Sequence, residues 1–81
     1  PVLSAGNGEV QVHEVMVPAP WAGRAVSELL DGDCLPVALT RAGRSILPAA
    51  DMALEAGDAV HVSATPEGIV RLRRRIEAGK H

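Results

Sequence analysis

The spacing of apolar side chains divides the chain into short elements. From Glu9 to Pro18 (EVQVHEVMVP), Val10 and Val12 alternate with polar residues, and Val15 and Val17 resume the alternation on the opposite phase. That predicts a strand, with the phase change at His13-Glu14 marking either a bulge or a strand covered on both faces. Pro18-Ala19-Pro20 ends it. Between Gly23 and Leu30 the residues Val26, Leu29 and Leu30 fall at i, i+3 and i+4, the apolar stripe of a short helix, and Asp31-Gly32-Asp33 stops it. Leu35, Val37 and Leu39 then alternate as a strand. Pro36 has no N–H, which places that strand at an edge or leaves the position unpaired.

Ala42-Gly43 supplies a tight turn into Ser45-Ile46-Leu47, a hairpin. A connector follows with Leu54 as its apolar anchor, and Ala56-Gly57-Asp58 opens a last strand in which Val60, Val62 and Ala64 alternate with His61 and Ser63. The final element is a helix. Thr65 is its N-cap, Pro66 takes the first helical position and Glu67 meets the positive end of the dipole. Ile69, Leu72 and Ile76 form its buried stripe, Arg71, Arg73, Arg74 and Arg75 favour its negative end, and Gly79 is the stop. The order strand, helix, three strands, helix predicts a small α+β domain with a mostly antiparallel sheet and two helices. Residues 1–8 read as linker, 9–78 as the domain and 79–81 as a tail.

Composition narrows the function. With 81 residues, one Trp and no Phe or Tyr, the core must be built from Val, Leu, Ile and Ala. Small side chains bury less area each, at roughly 25 cal/mol per Å², so a homodimer is expected to supply the missing burial. A formal net charge of −2 and the lack of stacking rings argue against DNA or RNA as a partner. No apolar run approaches the ~20 residues that span a bilayer and no signal-peptide pattern is present, so no direct membrane insertion is expected. Cys34 has no second cysteine to pair with, which fits a reducing compartment. The chain begins without Met, and the expectation is a fragment of a longer protein.

Catalytic chemistry is thin, and no enzyme is expected. Ser27, Ser45 and Ser63 lack a nucleophile-elbow context, and the three His are scattered. His13, His61 and Cys34 could form a metal site only if the fold gathered them; without tight ligand spacing, ordinary sheet histidines are the favoured reading and no metal is expected. Asp31-Gly32-Asp33 echoes a calcium loop whose later ligands do not follow. Arg73-Arg74-Arg75 reads as a solvated helix face. Trp21 either plugs the edge of the core or meets another chain. Arg44 sits at the hairpin tip, where its fork could hold a phosphate or a base edge.

In order along the chain, Gly23-Arg24, Glu28-Leu29, a strand ending in Arg41, Ile46-Leu47-Pro48, Leu54, Gly57-Asp58 and a terminal helix opened by Thr65-Pro66-Glu67 resemble the C-terminal domain of the TrkA/RCK family, over about residues 9–78. The resemblance implies a cytoplasmic homodimer that regulates a membrane potassium channel or cation/proton antiporter, in some members by binding cyclic di-AMP across the dimer two-fold. Carried over by position, Val26, Leu29 and Leu30 would be apolar contacts, Arg44 and Ser45 polar contacts, and Ile46 and Pro48 walls. The link from Leu30 to Leu35 is shorter than in many members and lacks their basic residue. No Gly-rich dinucleotide fingerprint occurs, so no NAD or ATP cofactor is implied. The alternatives are the same fold used only for dimerisation or for another ligand, and an interaction module that pairs a partner along an exposed sheet edge.

Overall fold

β5 (Ala59–Ala64) is the strand on which the sheet is built, paired with β2 (Val10–Met16) on one side and β3 (Cys34–Arg41) on the other. The computed structural model describes residues 4–5, 10–30 and 32–79. β1 (Ser4–Ala5) lies outside β2 and β4 (Arg44–Ile46) outside β3, giving the antiparallel order β1-β2-β5-β3-β4. The ladder thus begins inside the segment read as linker. A 3₁₀ turn at Ala19–Trp21, a one-turn helix α1 (Val26–Leu29) and the longer α2 (Pro66–Ala78) complete the α+β fold.

Residues directly opposite in an antiparallel pair share a face. Val15 faces Val60 and His13 faces Val62, while Glu14 faces His61 and Met16 faces Ala59. Val15, Val60, Val62 and Ala64 join Ile69, Leu72 and Ile76 of α2 in one buried core. The register of β2 against β5 runs without interruption, so the phase change at His13-Glu14 is not a bulge. It is a strand with apolar residues on both faces. Val15 is buried against the helices, whereas Met16 on the other face is 56% exposed.

The bulge lies in β3 instead. Pro36 is opposite Val62 and Ala38 opposite His61, so Val37 is the extra residue. Pro36 cannot donate to a ladder, and an inserted residue beside it releases the strand from that demand. The insertion resets the alternation. Leu39 is buried with Cys34, but Leu35 and Val37 point to the opposite face, 67% and 48% exposed. The single stripe expected from Leu35, Val37 and Leu39 is therefore split between two faces.

α2 starts as its sequence directs. Thr65 Oγ1 accepts from the Gly68 N–H at 3.0 Å, and Pro66 occupies the first turn. Gly68 permits close packing: a Cβ there would stand 2.8 Å from the Asp33 carbonyl oxygen. At the other end Trp21 settles into the core, 2% exposed, and its Nε1–H donates to the Ile76 carbonyl at 3.1 Å. That bond satisfies one of the carbonyls a helix C-terminus leaves unpaired. Arg24 lies over the indole, 4.4 Å from the ring centroid. Trp21 is a core plug.

Candidate functional site

The connector between β4 and β5 is held to the entry of α1 through backbone hydrogen bonds. The Gly23 N–H donates to Leu54 O, the Leu54 N–H to Arg24 O, the Val26 N–H to Met52 O and the Ser27 N–H to Ala50 O, at 2.8–3.0 Å. Leu54, buried among core residues, anchors this segment as its apolar character predicts. The segments named as ligand contacts, around α1 and around β4, are thereby joined into one unit.

Within that unit the seven residues divide by depth. Val26 and Leu29 are each 1% exposed and belong to the core. Leu30 and Ile46 are half-buried and pack against it together with Met52, and Pro48 is half-buried as well. Arg44 and Ser45 are exposed at the hairpin, opposite Arg41 and Thr40. Leu30, Ile46 and Pro48 keep accessible surface; of the two exposed hairpin residues Arg44 shares the Ile46 face of β4, while Ser45 lies on the opposite face.

The best-organised polar cluster was not assigned a role by the sequence reasoning, although its residues carried the resemblance. Asp58 is buried at 2% exposure, at the start of β5. Arg41 grips it in a fork, Nε to Oδ1 at 3.0 Å and Nη2 to Oδ2 at 2.7 Å. The Glu55 N–H adds a third bond to Oδ2 at 2.9 Å. Arg41 Nη2 also donates to Ala53 O at 3.0 Å, and Nη1 pairs with Glu55 at 3.1 Å. The Arg41 hydrogen bonds, aided by the Glu55 N–H, hold the Asp58 carboxyl below its ordinary range against the opposing effect of burial, and Asp58 in turn raises Arg41. Gly57, at φ +87°, makes the turn, its N–H donating to Val17 O while the Val17 N–H donates to Asp58 O. This cluster clamps β3, the connector and β2 around a satisfied buried charge. The available signal was a Gly-Asp pair at a strand start with an Arg at the end of the neighbouring strand.

The other candidates separate in space. His13 and His61 occupy opposite faces of the sheet, because their registers with the partner strand differ by one. His61 Nε2 lies 3.0 Å from Glu14 Oε2 on the open face. His13 instead lines a cavity of about 320 Å³ with Gln11, Ala64, Pro66, Ile69 and Val70. Among the described residues no His, Cys, Asp and Glu cluster could hold a metal. Of the arginine-rich helix, Arg71 pairs with Asp33 and Arg75 donates to the Leu29 carbonyl, so part of that run ties α2 to α1 and the following turn.

The family model for the TrkA-C domain matches residues 12–77. The chain belongs to the TrkA-C domain family. It is a regulatory module, not an enzyme. The Trk system potassium uptake protein TrkA of Streptomyces coelicolor is 38% identical over 63 residues, 76% of this chain. The TrkA-C chain spans 28% of that relative's length. An RCK domain solved with a molecule designated cda superposes with a TM-score of 0.69 over 80% of this chain and 96% of its own, at 22% identity, a likeness of fold. No described helix is long and apolar enough to cross a membrane.

Proposed function

We propose that this chain is the ligand-sensing domain of a cytoplasmic regulator of potassium transport, and that two copies share one cyclic di-AMP. The carrying observation is the TrkA-C match across residues 12–77, supported by the 38% identity to a potassium uptake protein. The cda accompanying the RCK neighbour favours a small-molecule ligand for this fold. Leu30, Ile46 and Pro48 give adenine an apolar seat, with Val26 and Leu29 supporting it from within the core. Arg44, exposed on the Ile46 face of β4, and Ser45, exposed next to it at the hairpin, are assigned to the phosphates. A two-fold symmetric ligand suits an isologous dimer, since each half meets the same residues from one subunit. The membrane partner in this reading is a cation channel or antiporter subunit that the regulator touches without entering the bilayer.

Calorimetry on the purified chain, with cyclic di-AMP compared against cyclic di-GMP and ATP, tests the reading. One cyclic di-AMP per two chains is expected, and no response to the other two. Absence of heat and of thermal shift at saturating cyclic di-AMP would leave dimerisation, or another ligand, as the role of the domain.

A further inference from the structure

Arg41 and Arg44 stand directly opposite each other at the end of the β3–β4 ladder, so their side chains leave the same face of the hairpin. Ala42 at φ +52° and Gly43 at φ +78° join them. Positive φ at both positions of a two-residue loop is the type I′ turn, whose twist matches that of the strands and fixes their register. Gly43 adopts that backbone freely, whereas Ala42, the one non-Gly residue at positive φ among those described, does so at a steric cost. The pair it holds is itself unfavourable, because like charges directly opposite in an antiparallel ladder repel. Natural proteins keep such departures from local rules chiefly at functional sites.

The two guanidinium groups are not equally committed. Arg41 donates from Nε and Nη2 to Asp58, and from Nη2 to Ala53 O. Its Nη1 turns outward to Glu55 at 3.1 Å, and the Glu55 side chain is 62% exposed. Arg44 is exposed. A solvent-exposed ion pair contributes little to stability, so the Glu55 carboxylate is an exchangeable partner, while Asp58, buried, is a fixed one.

We propose that Arg41 and Arg44 together form a seat for one phosphate group, and that Glu55 is its internal competitor: the carboxylate holds Arg41 Nη1 in the free domain and yields it to the ligand. The inference rests on the cyclic di-AMP reading above, adds Arg41 to the phosphate contacts and gives Glu55 a regulatory role. Phosphate is the anion that fits. Its tetrahedrally arranged oxygens can accept from two guanidinium groups approaching from different strands, whereas a carboxylate matches a single fork. Asp58 fixes Arg41 through Nε and Nη2, so the outward edge is oriented before the ligand arrives and little further ordering is needed. Ile46, opposite Leu39 on the same face, sets the apolar seat for adenine beside the anion.

Calorimetry with cyclic di-AMP on the wild type, Glu55→Gln and the remote control Glu67→Gln tests the seat. Glu55→Gln should tighten binding about two- to fivefold, the worth of one surface ion pair. Glu67→Gln makes the same change of charge on α2 and should leave the affinity unchanged. Glu55 reaches Asp58 through its backbone N–H, which glutamine retains, so the melting temperature of Glu55→Gln should match the wild type. In isotope-edited NMR spectra the Arg41 Nη1 and Arg44 guanidinium signals should move at saturation, while the Arg41 Nε–H, bonded to Asp58, stays. Pyrophosphate, titrated in the same way, separates the anion from the rest of the ligand. Equal affinities in Glu55→Gln and wild type, an equal gain in Glu67→Gln, or an Arg41 Nη1 signal that does not move overturns the seat and leaves the cyclic di-AMP reading standing. If cyclic di-AMP gives no heat, that reading falls and pyrophosphate decides the seat: tighter binding in Glu55→Gln with both guanidinium groups shifted upholds it, and any other response overturns it.

Discussion

Replacing Asp58 with Asn preserves the shape of the clamp and removes its charge. With the amide oxygen in the Oδ2 position, bonds from Arg41 Nη2 and the Glu55 N–H survive, while the NH₂ group meets the Arg41 Nε–H donor to donor. One hydrogen bond to a charged group is lost, worth about 1.5–3 kcal/mol. Of the two that remain, the Glu55 N–H bond becomes neutral–neutral, which roughly halves it, while the Arg41 Nη2 bond keeps its cationic donor. The Arg41 side chain is 27% exposed and can regain part of its solvation, which sets the expected loss at the lower end, about 2–3 kcal/mol. A domain of this length has about 4–12 kcal/mol in total, and each kcal/mol moves the midpoint by about 4–8 °C. Thermal and urea unfolding at neutral pH should therefore show a fall of roughly 10–20 °C, with the urea m-value unchanged. The pH dependence gives a second readout. The folded pKa of Asp58 is depressed from an ordinary 3.8, so its contribution is complete above that unfolded value and disappears as pH falls through the lower folded one. The gap between wild type and Asp58→Asn should narrow below about pH 4. A gap under about 0.5 kcal/mol at neutral pH, or one that does not change with acid, would refute the clamp.

Gly68→Ala should destabilise the protein by about 1–3 kcal/mol, against the gain of up to about 1 kcal/mol that helix propensity alone predicts, because its Cβ would meet the Asp33 carbonyl at 2.8 Å; the midpoint of thermal unfolding decides the sign. Leu29→Asp places a carboxylate at a site 1% exposed, and loss of the cooperative transition is expected, whereas an unchanged melting temperature would mean that the side chain escapes to solvent. Arg44→Ala should weaken cyclic di-AMP binding at least tenfold, since one charge-assisted bond per subunit is worth about 1.5–3 kcal/mol and about 1.4 kcal/mol is a factor of ten; wild-type affinity by calorimetry would remove Arg44 from the site.

Local rules made much of this protein legible in its sequence. The N-cap and proline of α2, its Ile69, Leu72 and Ile76 stripe, the Ala42-Gly43 hairpin and the alternation of β5 depend on neighbours within a few residues, and all appear as expected. The ordered set from Gly23 to Glu67 pointed to the family before any contact was known. What the tertiary structure decided depended on register and on distant partners. Whether Leu35 and Val37 face the core or the solvent turns on one inserted residue beside Pro36, and a shift of one residue moves a side chain to the other face. Arg41 and Asp58 are 17 residues apart, and neither residue alone signals a buried fork. Trp21 caps a helix 55 residues away. Val26 and Leu29, named from helical spacing as ligand contacts, lie beneath the surface because α2 and the connector close over them. Periodicity identifies the apolar side of an element; the packing of distant elements determines whether that side is core or contact surface.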